Sequence, residues 1–221
     1  MHKILVINPN SNDLVTKQLQ ASFCDDRFRK DTQVECVTLE EGPFGIETDE
    51  DISFVGPLVT KKIDDEILNY DAFVIACYSD PGLTEARRNF SKAIYGIHEA
   101  AVKFCAHLEL KFGVIALGED SIKRHADYIK QLNLGLFYIG EEALDISVNE
   151  AVCNEDTLEK IVEAGNKLIE AKKSELIILG CAGMARHRFS AEKVLGIKVI
   201  DPVHAALDLA IANFTLARRV D

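Results

Sequence analysis

Two cysteines stand where a thiol could do chemistry, because each directly follows a short apolar run. Cys77 follows "AFVIA" and precedes "YSDPG", whereas Cys181 follows "LIILG" and precedes "AGMAR". In both places the residues after the cysteine can open a helix, whose unpaired N–H groups lower the pKa of a nearby thiol. We therefore interpret both cysteines as candidate acid/base groups and expect their pKa values to be lowered.

A pair of such thiols suits one reaction. One cysteine, as a thiolate, removes a proton from a carbon, and the other, as a thiol, returns a proton to the opposite face. The product has the mirror-image configuration, and the chemistry requires neither a metal nor an organic cofactor. This interpretation requires Cys77 and Cys181 to face a common cleft.

The elements that must position these cysteines alternate between strands and helices. The predicted strands are 3–8, 73–77, 112–117, 176–180 and 197–201. The predicted helices lie near 12–22, 50–68, 83–90, 98–108, 121–131, 155–172 and 203–217. Continuously apolar strands are typical of parallel sheets covered on both faces, so the fold class is α/β. Ligands of such sheets bind beyond the carboxyl ends of the strands, where both cysteines fall.

The chain also repeats itself. "ILVINPNSND" (4–13) resembles "FGVIALGEDS" (112–121), "AFVIACYSDPG" (72–82) resembles "LIILGCAGMAR" (176–186), and "AIYGIHEAAVKF" (93–104) resembles "IKVIDPVHAALDL" (197–209). The offsets are 108, 104 and 105, measured between Val6 and Val114, Cys77 and Cys181, and Glu99 and His204. Three ordered matches at nearly one offset predict two similar halves, although α/β units also resemble one another without duplication.

The predicted halves are 1–97 together with 208–221, and 98–207. If they pack face to face about a pseudo-twofold axis, the two cysteines point at each other across one cleft. The site would then lie between the halves.

The composition limits the partners. A net charge of −11 argues against nucleic acid and anionic membranes as partners. No apolar run approaches the roughly 20 residues of a membrane span, and "MHKILVINPN" lacks the features of a signal peptide, so a cytoplasmic location is expected. The six cysteines have no paired spacing, so we expect free thiols and no metal site.

Several motifs resemble a known family. "NPNS" after the first strand, "GPFGIET" (42–48), "ACYSDPGL" (76–83), "GIHEAA" (96–101) and "LGCAGM" (179–184) are similar to motifs of the hydantoin and allantoin racemases, within the aspartate/glutamate racemase superfamily. The motif order is kept from the first strand to "VIDPVHAA". The resemblance implies two flavodoxin-like halves, a small-molecule substrate in the cleft between them, racemisation by two thiols without a cofactor, and a homo-oligomer.

The resemblance also implies roles for individual residues. Cys77 and Cys181 become the catalytic acid/base pair. The implied substrate-binding residues are Asn8, Ile46, Tyr78, Ser79, Ala182 and Gly183. Backbone N–H groups of the last four would bind carbonyl oxygens and stabilise an enolate-like intermediate. A capping role for Asn8 and a packing role for Ile46 remain open.

Three departures from the family pattern concern the substrate. Ser79 stands where hydantoin-type members usually have glycine, and Ala116 and Leu117 stand where they tend to have threonines. Such losses change which ring a site can hold. The third departure is a basic cluster that could grip an acidic substrate or form a solvated helix face: Arg186, His187 and Arg188.

Other functions remain open at this stage. Relatives in the superfamily include malonate decarboxylases and a maleate isomerase, and a non-catalytic two-lobed binding protein would keep the same cleft. The presence of both thiols favours racemisation over decarboxylation, which usually keeps one. His98 and His204 follow strands and could relay protons or simply begin helices. The remaining cysteines are expected to be structural or incidental: Cys24 on a helix, Cys36 in a strand, Cys105 in a helix and Cys153 in an irregular connection.

Overall fold

The computed structural model describes residues 1–23 and 31–217, and its first half is built on a parallel four-stranded sheet. The strands are β1 (His2–Asn8), β2 (Thr32–Thr38), β3 (Ala72–Ile75) and β4 (Ala93–Gly96), in the order β2-β1-β3-β4. The helices of this half are α1 (Asp13–Ser22), α2 (Asp49–Glu66), α3 (Leu83–Asn89) and α4 (Ile97–His107).

The second half repeats this arrangement. Its strands are β5 (Phe112–Ala116), β6 (Tyr138–Ala143), β7 (Leu176–Leu179) and β8 (Lys198–Ile200), all parallel and in the order β6-β5-β7-β8. The helices are α5 (Glu119–Gln131), α6 (Val148–Cys153), α7 (Thr157–Lys172), a 3-10 helix (Ala182–His187), α8 (Arg188–Leu195) and α9 (Pro202–Ala217). The α/β fold with two similar halves, predicted from the sequence, is confirmed.

Alternation along the central strands divides the apolar side chains between two layers. Ile4 and Val6 of β1 face a core that both halves share, whereas Leu5 and Ile7 face a core within the first half. In the second half Val114 joins the shared core and Ile115 packs on the outer side. Helices α4 and α9 pack against each other. The shared core therefore fixes the two sheets, and with them the carboxyl ends of their strands, in one body.

The sequence located the apolar elements within about two residues and missed the more polar ones. Strand β6, "YIGEEA", was not predicted, because its side chains are mostly half-buried and polar and its pairing with β5 contains a register shift. The prediction of an irregular connection at Cys153 is wrong, since this residue ends α6. Cys24 lies outside the described residues. The division at 97/98 and 207/208 stays a prediction, the second boundary falling within α9.

Candidate active site

A cavity of about 240 Å³ lies between the two halves and is lined by both Cys77 and Cys181. Each cysteine follows a central strand, β3 or β7, at the carboxyl end of its sheet. Seven of the eight residues predicted for the site line this cavity: Cys77, Cys181, Ile46, Tyr78, Ser79, Ala182 and Gly183. The structure therefore brings the two thiols to one cleft, as the strand-end argument requires.

Asn8 is the predicted residue that does not line the cavity. Its side chain is buried, and its amide nitrogen donates hydrogen bonds to Asn10 Oδ1 at 3.0 Å, to the Asn12 carbonyl at 3.2 Å and to Thr16 Oγ1 at 3.1 Å. Asn12 caps the N-terminus of α1, and Asn10 lines the cavity. Asn8 thus organises the loop after β1, which agrees with the alternative of a turn-forming role.

The two cysteines adopt similar local structures. The Cys181 sulfur accepts a hydrogen bond from the Gly183 N–H, with a sulfur–nitrogen distance of 3.3 Å. The Cys77 sulfur receives the corresponding contact from the Ser79 N–H, again two residues later. The turn after each strand therefore folds back onto its own thiol and aims backbone donors at the cavity.

Burial dominates the ionisation of both thiols. It raises the pKa of Cys77 to about 12 and that of Cys181 to about 11, although the backbone N–H groups act in the opposite direction. The prediction of lowered pKa values is therefore wrong. The free-energy cost of removing a thiolate from water is larger here than the stabilisation of the thiolate by the N–H groups of the turn.

Asp80 anchors the Cys77 turn to the start of α4. Its backbone is left-handed, with φ at 46°, and its carboxylate accepts hydrogen bonds from the N–H groups of His98 at 3.0 Å and Glu99 at 2.9 Å. Burial raises the pKa of Asp80 to about 7 despite these two donors. A side chain at Gly96 would collide with this carboxyl group, since a Cβ there would lie 2.2 Å from its carbon. "YSDPG" and "GIHE" are therefore parts of one tertiary contact.

An aromatic group packs behind the first cysteine. Tyr78 stacks on His98 with ring centroids 4.1 Å apart and meets His125 edge-on at 5.0 Å. His98 is buried outside the cavity wall, and burial lowers its pKa well below the ordinary value. His98 therefore packs against the Cys77 turn as a neutral ring.

Several polar residues of the wall were not predicted from the sequence, and two of them, both on α5, pair with side chains of other elements. His125 lines the cavity, and its Nδ1 lies 2.9 Å from Glu141 Oε2 on β6. Arg124 also lines the cavity and pairs with Asp49 at 2.7 Å. No local signal could have found the His125–Glu141 pair, because 16 residues separate its members and β6 was not recognised.

The loop before α2 spans from one half to the other beside the cavity. Glu47 Oε1 accepts a hydrogen bond from the Val148 N–H at 2.8 Å, and Asp49 reaches Arg124. Ile46 lies between the loop's glycines and these contacts and lines the cavity. The "GPFGIET" motif thus closes one side of the cleft.

The basic cluster after Cys181 does not reach the cavity. Arg186 donates hydrogen bonds to His187 Nε2 and to the Asn154 carbonyl, both at 2.9 Å. Arg188 Nε donates to the Val199 carbonyl at 3.1 Å. None of the three residues lines the cleft, so their positions offer no grip on a substrate bound between the cysteines.

The other described cysteines also lie away from the cavity. Cys36 lies in β2, Cys105 is buried in α4, and Cys153 is exposed; all are free thiols. In residues 1–23 and 31–217 no group of three or more His, Cys, Asp or Glu side chains could hold a metal ion. Within the same ranges no helix combines the length and apolarity needed to cross a membrane.

Comparisons with known proteins show which family this chain belongs to. Residues 4–210 match the family model described as Asp/Glu/Hydantoin racemase. The chain is 35% identical to a hydantoin racemase of Pseudomonas sp. (strain NS671), over 98% of this chain and 88% of that protein. Of the solved structures, allantoin racemase from Klebsiella pneumoniae superposes with a TM-score of 0.90 at 24% identity, covering 98% of this chain and 89% of the other.

The fold alone does not fix the reaction. A maleate isomerase from Pseudomonas putida S16 superposes with a TM-score of 0.71 at 14% identity, covering 97% of this chain and 92% of the other. The family model and the 35% identical relative carry the assignment instead. The chain therefore belongs to the Asp/Glu/hydantoin racemase family and is an isomerase of the racemase class.

Proposed function

We propose that this isomerase inverts the carbon next to a carbonyl in a hydantoin-like cyclic ureide, using Cys77 and Cys181 as the acid/base pair and no cofactor. The observation that carries the proposal is the cavity lined by one strand-end thiol from each half. The name of the 35% identical relative supports the choice of a hydantoin over a free amino acid.

The proton balance of the reaction is simple. In the active form the two sulfurs hold one proton between them. The thiolate removes the proton from the carbon, and negative charge develops on the adjacent carbonyl oxygen. The thiol opposite then donates its proton to the other face, so that the roles of the cysteines are exchanged after one turnover. The raised pKa values suit this exchange, because a thiolate of high pKa is a strong base.

The backbone around each cysteine supports the intermediate. The N–H groups of Ser79 and Gly183 contact the two sulfurs, so the N–H groups of Tyr78 and Ala182, directly after the cysteines, are the donors we assign to the developing oxyanion. Donors fixed in advance stabilise such charge strongly. Leu117, Ile146 and Val148 give the cavity an apolar wall, which suits an apolar substituent on the ring. Loss of the family's threonines at Ala116 and Leu117 is compatible with such a substituent.

The decisive test replaces each cysteine separately. Cys77→Ser and Cys181→Ser should each lower racemisation of a 5-substituted hydantoin by at least about 10³-fold, because a serine hydroxyl is a far weaker acid than a thiol. Polarimetry gives the rate, and exchange of the carbon-bound hydrogen in deuterated water reports proton removal directly. Cys153→Ser is the matched control and should keep the wild-type rate, since this exposed thiol lies away from the cavity.

Three outcomes would contradict the proposal. Wild-type rates in either cavity variant would exclude a two-thiol mechanism. Ligand binding without deuterium exchange in the wild type would favour a binding protein, and loss of activity in a chelator would exclude a metal-free reaction. Sedimentation velocity tests the predicted homo-oligomer, which stays a prediction.

A further inference from the structure

His125 lines the candidate active site but has no part in the proton transfers proposed above. It lies on α5, is only 3% exposed, and is the only histidine among the described residues of this cavity wall. Buried polar groups are normally hydrogen-bonded, so a buried imidazole beside a substrate cavity is a candidate to hydrogen-bond the ligand.

Contacts with Glu141 and with neighbouring aromatic rings set the orientation of the His125 imidazole. Its Nδ1 lies 2.9 Å from Glu141 Oε2, and Tyr138 donates a hydrogen bond to Glu141 Oε1 at 3.1 Å. Because the carboxylate accepts, Nδ1 carries a hydrogen. In the neutral imidazole Nε2 is then the acceptor left for a ligand. The rings of Tyr78 at 5.0 Å and His98 at 5.1 Å pack edge-on against His125 and restrict its rotation.

Nothing in the fold requires a carboxylate at this place. The strand register pairs Val114 with Glu141 in the second half and the equivalent Val6 with Cys36 in the first. A small thiol therefore suffices at the corresponding position of β2. A fully buried glutamate is costly unless it is bonded, so its presence beside the cavity indicates a role in the site.

The chemistry of the wall indicates what the imidazole would accept. Backbone N–H groups beside the two cysteines suit carbonyl oxygens, but a cyclic ureide also presents ring N–H groups, which need an acceptor. The carboxylates of the wall, Glu47 and Asp120, are both exposed, and Glu47 already accepts from Val148. His125 Nε2 is instead an acceptor on a buried residue. A hydrogen bond at such a place discriminates strongly between ligands that have the N–H group and ligands that lack it.

We propose that His125 Nε2 accepts a hydrogen bond from a ring N–H of the substrate and that Glu141 is the positioning residue that keeps this nitrogen an acceptor. The inference rests on the proposed function, because it assumes a cyclic ureide. It assigns a specificity role to His125 that is separate from proton transfer by the cysteines.

The test uses ligands that cannot react. 5,5-Dimethylhydantoin has no hydrogen on the relevant carbon, and its N1-methyl and N3-methyl derivatives each lack one ring N–H. Methylation of one ring nitrogen should weaken binding to the wild type at least about tenfold, as loss of a buried hydrogen bond does. The same methylation should change binding to His125→Leu by less than about threefold, as measured by calorimetry.

Glu141→Gln keeps the side-chain size and tests the positioning role. Its amide can donate to Nδ1, which would move the ring hydrogen to Nε2 and convert the acceptor into a donor. Nitrogen NMR of the imidazole should report this change of tautomer, and the methylation penalty should disappear while the melting temperature stays within a few degrees. Tyr138→Phe is the matched control, because it removes the other hydrogen bond to Glu141 and should keep the penalty.

The outcomes separate the inference from the proposed function. Equal methylation penalties in the wild type and His125→Leu would overturn the inference alone. A full penalty in Glu141→Gln after the tautomer has changed would also overturn it. A wild type that binds none of the three ureides would contradict the proposed substrate class together with the inference.

Discussion

The two cysteine turns share the geometry of the sulfur but differ in how that geometry is held. In both halves the thiol follows a central strand and contacts an N–H group two residues later. After Cys77 the chain makes a turn whose Asp80 reaches across to α4, whereas after Cys181 a 3-10 helix begins at once. The two halves thus share the position of the reactive atom but differ in what supports it.

Substitution of the residue before each cysteine should give the largest difference in activity between the two halves. Gly180 precedes Cys181, and a Cβ there would lie 2.6 Å from the Ile115 carbonyl oxygen, whereas the equivalent Ala76 carries a Cβ. Gly180→Ala should therefore push the backbone of Cys181 away from the β5 strand. A displacement of about 1 Å at a catalytic group costs roughly 10²-fold in rate, which steady-state kinetics would detect.

The reciprocal change in the other half serves as the control. Ala76→Gly removes a buried methyl group and adds backbone freedom, so it should cost about 1 kcal/mol in the free energy of unfolding. It should not displace Cys77, and its loss of activity should be less than tenfold. If both variants lose activity equally, close packing of strands is not what positions Cys181.

The second comparison concerns the aspartates that cap the helices after the edge strands. Asp80 comes from the Cys77 turn and binds two N–H groups of α4. Asp201 directly precedes α9 and accepts from the N–H groups of Val203 at 2.8 Å and His204 at 3.4 Å. The first cap therefore ties the reactive turn to a helix, whereas the second is local to its own helix.

Alanine at each position should separate these roles. Asp80→Ala leaves two buried N–H groups unpaired, at a cost of about 3 kcal/mol, and should lower activity roughly tenfold because the Cys77 turn loses its anchor. Asp201→Ala also unpairs two N–H groups at a buried carboxylate, so a loss of stability of similar size is expected, but with little change in activity because this cap is local to α9. Urea denaturation and steady-state kinetics measure both quantities. Equal losses of activity would show that Asp80 does not support Cys77.

The fold could be predicted because its central strands are apolar on both faces and its halves repeat in sequence. Strands β3, β5 and β7 are buried throughout and β1 from Ile4 onward, and such runs are recognisable without an alignment. Strand β6 could not be predicted, because it pairs irregularly with β5 and carries Glu141 and Glu142. A polar strand has no apolar period to reveal it.

The candidate site was predictable only where its chemistry is local in sequence. Cys77, Cys181 and their following residues fall at strand ends, so the topology brings them together. His125 depends on a partner in an unrecognised strand, and the direction of the thiol pKa shift depends on burial, which the motifs do not report. Asn8 stands at a strand end like the cysteines, yet its amide turns inward to the loop.

The smallest expected difference lies in the ionisation of the two thiols. The Cys181 sulfur is favoured by the N–H groups of Gly183 and Met184, and that of Cys77 by Ser79. Burial raises both pKa values, to about 11 for Cys181 and about 12 for Cys77, so both groups are thiols near neutral pH. Each thiolate fraction should then rise tenfold per pH unit, because ionisation lies above this range.

Alkylation by iodoacetamide measures this order, because only the thiolate reacts. Between pH 7 and 9 the rates at both cysteines should rise about tenfold per pH unit, and Cys181 should react faster than Cys77, because its pKa is the lower of the two. Peptide mass spectrometry resolves the two sites, and the preference should vanish in urea, where neither thiol is buried. A rate independent of pH, or a faster Cys77, would show that the extra backbone donor at Cys181 does not set which thiol ionises first.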